Sequence, residues 1–278
     1  MSSKPRDALD FPESDRGFLE AHLPTQDGST RDLPFTTLTF ATSLDSSLAL
    51  SPGARTVLSG PQSKAMTHYL RSRHDGILIG VGTAMADDPG LNCRIAGVGG
   101  YGKDGLDGQP RPVVIDPSAR WDFSDDSKLF QLCREGRGRA PWIVTALDQP
   151  PAEKRDLLEK YGGRFISLEM PQSDSGRHQI NWHNLLVTLK SNGLSSVMVE
   201  GGGQVINSLL SPSNMSLLNS VIVTIAPTWL GRGGVVVSPA RRFDDGGNAI
   251  SAARLTSVKW YPFGEDVVLC GRVQLSES

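Results

Sequence analysis

Glu200 and the three glycines behind it, Gly201, Gly202 and Gly203, are the residues of this chain whose types and spacing point most directly to chemistry. They lie in the stretch SSVMVEGGGQVINSLL, residues 195–210. Val197, Met198 and Val199 suit a buried strand, and Val205, Ile206, Leu209 and Leu210 recur at helical spacing. Strand, glycine turn and helix together aim backbone N–H groups and a helix N-terminus at an anion. Glycine also lets the main chain approach a phosphate with no Cβ in the way. An acid at the carboxyl end of a strand stands where open α/β sheets take their ligands. On its own, the stretch fits an anion site and an unliganded tight turn equally well.

Other polar groups stand just past apolar runs: Ser43 with Asp45, Thr83 with Asp87, and Asp116. In a parallel sheet such strand ends gather along one edge. Arg71 and Arg94 can reach that edge and hold a phosphate by charge-assisted, bidentate bonds. Each has an ordinary alternative, a solvated arginine or a turn-forming aspartate such as Asp87 or Asp88 before Pro89. His22, His68, His74, His178 and His183 do not fall at metal-binding spacing with acids or cysteines, so no metal is expected. The chain has neither a G-x-S-x-G elbow nor a G-x-x-x-x-G-K-[ST] loop, and Ile206 breaks a G-x-G-x-x-G pattern. The glycine-rich run 97–109, GVGGYGKDGLDGQ, has no strand before it and no helix after it, and reads as a surface loop.

The elements that must position these residues alternate between strand and helix. Strands are expected at 35–42, 77–81, 111–116, 141–146, 164–168, 197–199 and 219–226. Helices are expected at 61–73, with Pro61 at its first position, at 152–161, at 181–192, and after the glycine turn. Residues 82–89, past the second strand, read as a polar loop. Residues 252–260 and 266–275 alternate around Pro262-Phe263-Gly264 as a terminal hairpin. The sum is an α/β domain with a mostly parallel sheet flanked by helices and a C-terminal antiparallel hairpin.

A formal net charge of −2 gives no sign of the concentrated positive charge that nucleic-acid or anionic-membrane binding needs. No apolar run approaches a membrane span. Cys93, Cys133 and Cys270 form neither a disulfide framework nor a zinc site, so a reducing, cytoplasmic setting is expected. Residues 1–32 are polar and broken by Pro, Gly, Ser and Asp. They read as an extension that is flexible or wraps the surface, outside the core of a single domain at 33–278.

Together, TFATSLDSSLAL (39–50), LRSRHDGILIGVGTAMADDPGLNCR (70–94), RPVVID (111–116), VMVEGGGQVINSLL (197–210) and VIVTIAPTWLGRGG (221–234) resemble the riboflavin-biosynthesis reductase family. The specific part is T-x-x-x-D-D-P-x-L-x-x-R followed later by V-E-G-G. The resemblance implies a dihydrofolate-reductase-like fold. It also implies NADPH as cofactor, with NADH possible in some members, and a homodimer. By position it places Ala41, Thr83, Asp87, Gly201, Gly202, Gly203, Gln204 and Val205 at the cofactor, with Pro117 at a further, variable cofactor position. It places Arg71, Leu91, Arg94 and Glu200 at a ribosyl-phosphate substrate, where Glu200 is the candidate for a catalytic role.

The chain departs from the common S-L-D-G-K/R pattern at Ser46 and Ser47, and carries no deaminase-like H-x-E or P-C-x-x-C. A stand-alone reductase of this kind resembles the fungal and archaeal enzymes. Those reduce 2,5-diamino-6-ribosylamino-4(3H)-pyrimidinone 5′-phosphate to its ribitylamino counterpart. The alternatives are reduction of the deaminated 5-amino-6-ribosylamino-uracil phosphate, or a catalytically silent dinucleotide-binding protein.

Overall fold

A computed structural model of the chain describes residues 5–25, 31–173, 176 and 178–274. Among these, a nine-stranded sheet runs through the molecule. Its strands in chain order are β1 (Phe35–Thr42), β2 (Gly76–Gly80), β3 (Arg111–Ile115), β4 (Trp142–Thr145), β5 (Arg164–Ser167), β6 (Ser196–Val199), β7 (Ser220–Ile225), β8 (Arg254–Phe263) and β9 (Asp266–Gln274). In space the order is β8-β9-β7-β1-β6-β2-β3-β4-β5. All pairings from β7 to β5 are parallel, while β9 runs antiparallel to β7 and to β8. The expected parallel sheet and closing hairpin therefore form. Leu275, the expected end of the hairpin, lies outside the described residues.

Period-2 alternation divides the strands between two faces. Leu78, Val113, Val197 and Val199 face one core with Trp182, Leu185 and Leu189 of α5 (Trp182–Ser191) and Val205, Ile206 and Leu209 of α6 (Gly203–Leu209). Met198 and Ile222 face a second core with Met66 and Leu70 of α1 (Pro61–Ser72). Ile77, Ile79, Val114 and Ile143 face a third. It is closed by α2 (Val81–Asp87), α3 (Lys128–Arg134) and α4 (Ala152–Lys160). The helix ends follow local chemistry. Gly60 caps α1 in an extended conformation with Pro61 behind it, and the Asn181 side chain accepts the Asn184 N–H at 3.0 Å to start α5.

Strand β6 is made late in the chain yet inserts between β1 and β2. The connections leave β1 toward β2 and β5, then return to β6 and cross to β7. The carboxyl ends of β1, β6 and β2 therefore border the point where chain direction across the sheet reverses, the place where open α/β sheets form a crevice.

Four stretches depart from expectation. Residues 81–87 are helical rather than a polar loop, because Val81 and Ala84 pack into the third core and Asp88 ends the helix at a left-handed φ of +39° before Pro89. Helix α3 forms where no helix is expected, and Leu129, Phe130 and Leu132 bury it. The 97–109 run is not a plain surface loop, since Tyr101 is fully buried within it and Gln109 bonds across it to Cys93 N, Cys93 O and Gly99 O at 2.7–2.8 Å. Within residues 5–25, Phe11, Leu19 and Leu23 are buried, which differs from the expected placement of the N-terminal segment outside the core. Phe18 stacks on Tyr261 at 4.1 Å, and Leu9 pairs with Ile95.

Candidate active site

Glu200 is the first residue beyond β6 and still bonds the sheet through its N–H to Leu78 O at 3.0 Å. Its carboxylate meets Arg71, on the last turn of α1, in a two-pronged pair: Nε to Oε1 at 2.8 Å and Nη2 to Oε2 at 2.6 Å. The third nitrogen, Nη1, donates to Asn92 O at 3.0 Å. Helical side chains lean toward the helix N-terminus, which is how Arg71 reaches the carboxyl edge of the sheet. Both side chains are nearly buried, 13% and 17% exposed, so each charge depends on the other.

Arg94 follows Asn92 by two residues. Its guanidinium is 3.3 Å from His68 Nε2 and from Asp7 O, and 3.7 Å from the Asp7 carboxylate. Burial, then the positive fields of Arg71 and Arg94, push His68 down to about 2. It is therefore neutral in any physiological buffer, and a neutral imidazole has one acceptor nitrogen. Leu91 is 2% exposed at φ +47°, with its side chain in the third core rather than in open space.

On the opposite side of Glu200 the glycines meet α2. A Cβ on Gly202 would lie 2.9 Å from Thr83 Oγ1, so only hydrogen separates the turn from that hydroxyl. Gly202 caps α6 without a side-chain bond, leaving the N–H groups of the first turn to outside acceptors. A Cβ on Gly203 would lie 2.4 Å from Val235 Cγ1. The Val205 side chain is buried and fills the space between Gly80 and Gly201, while Gln204 is exposed. Asp87 stands four residues after Thr83 on the same side of α2. Its Oδ1 is buried and meets no hydrogen-bond partner among the described residues. Ala41, half-buried on β1, pairs with Thr224 beside the same edge.

The remaining strand-end acids serve the scaffold. Asp45 accepts from Leu230 N at 3.1 Å and Gly231 N at 2.8 Å, tying the loop after β7 to the turn after β1. The Ser43 hydroxyl and these two N–H groups hold its carboxyl below the usual range. Ser46 adopts φ +59°, a left-handed conformation that accounts for glycine being common there in the resembled pattern. Asp116 accepts the Trp121 N–H at 2.8 Å, and Pro117 O accepts Thr145 Oγ1 at 3.0 Å. Among the described residues, no three His, Cys, Asp or Glu side chains gather to hold a metal.

Thus the structure brings Arg71 to Glu200 and Thr83 to the glycine turn, with Glu200 and Gly202 only two residues apart. It does not leave Arg71 free to grip a phosphate alone, since all three of its nitrogens have protein partners. Sequence reading passed over His68, Asn92, Tyr101, Arg137 and Asp7. The available signals were His68 one helical turn before Arg71 and a lone tyrosine in a glycine-rich run.

Comparison with known proteins bears on this site. The sequence profile of the RibD C-terminal domain matches residues 34–269. The chain is 41% identical over 261 residues to a 2,5-diamino-6-ribosylamino-4(3H)-pyrimidinone 5′-phosphate reductase of Debaryomyces hansenii, covering 93% of this chain and 96% of the relative. It is 39% identical over 259 residues to the same-named Saccharomyces cerevisiae protein, covering 92% and 94%. A solved Saccharomyces riboflavin biosynthesis reductase superposes with a TM-score of 0.71 at 35% identity, over 94% of this chain and all of that one. Acinetobacter baumannii RibD, 20% identical, shares the fold with a TM-score of 0.65, over 88% of this chain and 59% of that one.

Proposed function

The chain belongs to the RibD C-terminal domain family, and from that premise we propose that it reduces 2,5-diamino-6-ribosylamino-4(3H)-pyrimidinone 5′-phosphate to the ribitylamino product with NADPH. Its architecture is that of the RibD-type, dihydrofolate-reductase-like reductases, and reductases of this kind take a nicotinamide cofactor. The observation that carries the reading is the division at the end of β6. Glu200 turns to Arg71, while Gly202 turns to Thr83. Two ligands can then meet across one turn.

The chain's polar groups fit a dinucleotide on the glycine side. The uncapped N–H groups at the start of α6 suit a pyrophosphate, and the unpartnered Asp87 Oδ1 suits a ribose hydroxyl, with Thr83 between them. Gly202 keeps that approach open, and Val205 supports it from beneath. When bound, the nicotinamide supplies the hydride.

On the other side, the ribosylamine opens to an imine at C1′. That carbon takes the hydride and the adjoining nitrogen takes a proton. Arg71 and Glu200 hold each other in fixed geometry, so the lone pairs left on Glu200 are positioned to accept hydroxyls of the opened sugar. Arg94, with its side chain 21% exposed and Arg71 taken up by Glu200, is read as the arginine that meets the phosphate. His68, held neutral by burial, is not an imidazolium acid.

The enzyme is read as cytoplasmic, which suits its three free thiols. It is also read as a homodimer, and β8, at the edge of the sheet with Trp260 60% exposed, is a surface a second copy would cover. The test is to follow NADPH oxidation with the diaminopyrimidine and, separately, with its deaminated form. Turnover of the first and not the second is expected. Turnover of only the deaminated compound, or of neither, would overturn the assignment.

A further inference from the structure

The surroundings of Arg94 contain a charged cluster that the reaction as described leaves unused. The Asp7 carboxylate pairs with Arg137 Nη2 and lies 3.7 Å from Arg94 Nη1. The Tyr101 hydroxyl donates to it across 3.4 Å. That hydroxyl oxygen also accepts from Asn92 Nδ2 at 3.0 Å and from Arg137 Nη2 at 2.7 Å. Arg137 stacks over the Tyr101 ring, its Cζ 4.7 Å from the centroid, and its buried Nε meets no partner among the described residues. The other acid on Arg137 is Glu135, 2.8 Å from Nη1. Asn92 joins this cluster to the reaction centre, because its carbonyl accepts from Arg71, which grips Glu200.

Two guanidinium groups and a phenol thus converge on one carboxylate. A phosphate monoester carries more charge than a carboxylate and offers three terminal oxygens rather than two, so it satisfies this donor set better. The carboxylate is also easy to move. Asp7 is 44% exposed and lies on a turn closed by Ala8 N to Pro5 O at 3.0 Å. The backbone around it is held separately, with Asp7 O accepting from Arg94 Nη1 at 3.3 Å and Leu9 bonded to Arg94 O at 2.8 Å and to Ala96 N at 2.9 Å, so the Asp7 side chain can swing away while those bonds hold. The depressed His68 beneath Arg94 is consistent with a buried, net positive neighbourhood.

Building on the reductase reading, we propose that the substrate's phosphate is received jointly by Arg94, Arg137 and Tyr101, and that Asp7 is an internal counterion which the phosphate displaces. The 97–109 loop then has a functional part, because it carries Tyr101 to the phosphate end of the site. The N-terminal segment becomes a competitor for substrate as well as a strap.

Inorganic phosphate is the probe, measured both as a competitive inhibitor against the pyrimidine and by calorimetry on the protein alone. Asp7→Asn keeps the shape and removes the competing charge. It should lower the pyrimidine KM and the phosphate Ki together, by roughly threefold or more. Arg137→Gln should raise both by about tenfold or more, with kcat within about threefold, as expected for a lost charge-assisted bond. A purely structural strap would not tighten phosphate when its charge is removed. An Asp7→Asn variant that melts like the wild type but binds phosphate no better would overturn the proposal, even if Arg137→Gln fails to fold. Wild-type protein that binds phosphate with these variant effects but never oxidises NADPH would refute the reductase reading instead, leaving the anion site standing.

Discussion

The turn Gly201–Gly203 and the loop 97–109 are both built on glycine, but they need it for different reasons. In the turn, none of the three glycines has a positive φ. What matters there is space: a Cβ on Gly201, Gly202 or Gly203 would meet Val205, Thr83 or Val235 at 2.4–2.9 Å. In the loop, Gly97, Gly100, Gly102, Gly105 and Gly108 all have φ between +73° and +103°, bending the chain around the buried Tyr101. The turn uses glycine to let another group come close, and the loop uses it to fold at all. Glycine content alone does not separate the two. A strand before and a helix after mark the first kind.

Both stretches depend on the Arg71–Glu200–Asn92 network, so the largest effect should come from breaking it. Arg71→Met would leave Glu200 nearly buried with no cation, at a cost of ~3–5 kcal/mol. Chemical denaturation should show that loss, together with collapse of turnover. A near-native midpoint would mean that the pair is not what holds the two sides together.

Acid should act next, through two buried histidines, His68 beside Arg94 and His74 against β1. Burial, followed by neighbouring arginine charge, pushes His68 down to about 2. Burial is also the main reason that His74, bonded to Thr37 Oγ1 and Leu70 O, sits at about 4. Both are depressed below the unfolded histidine, so their contribution is fully present above roughly pH 6.5 and is lost as pH falls toward the folded values. Each should remove on the order of 1 kcal/mol between pH 7.5 and 5.5. Thermal melts that stay flat across that range would contradict the buried, neutral assignment.

Gly100→Ala sharpens the contrast from the loop side. At φ +74°, with a Cβ 2.6 Å from Gly136 O, it should cost ~1–3 kcal/mol and raise the pyrimidine KM while sparing the cofactor KM. An unchanged melting temperature would show that the loop tolerates what its backbone forbids.

How much of this could be read beforehand follows the range of the interactions. Strands β1 to β7 are apolar runs bounded by turn residues, and α1 and α5 have caps and periodic apolar faces, so local pattern found them. Helix α2 escaped because seven residues with Gly82 in the first turn look like a loop, and only the third core makes them helical. The N-terminal segment escaped because Phe11, Leu19 and Leu23 follow no period and gain burial only from distant partners. The family pattern named Arg71, Arg94 and Glu200, but it could not indicate that Arg71 is committed to Glu200. Asp7 meets Arg137 across 130 positions of chain, a contact no local spacing encodes.

The central claim is that the end of β6 divides two ligands, with cofactor on the glycine side and pyrimidine on the Glu200 side. Gly202→Ala tests it most directly, since the new methyl would stand 2.9 Å from Thr83 Oγ1 at a backbone conformation alanine adopts freely. With both ligands varied in steady-state assays, the NADPH KM should rise by about tenfold while the pyrimidine KM stays within about twofold. A rise in the pyrimidine KM with the NADPH KM unmoved would contradict that division.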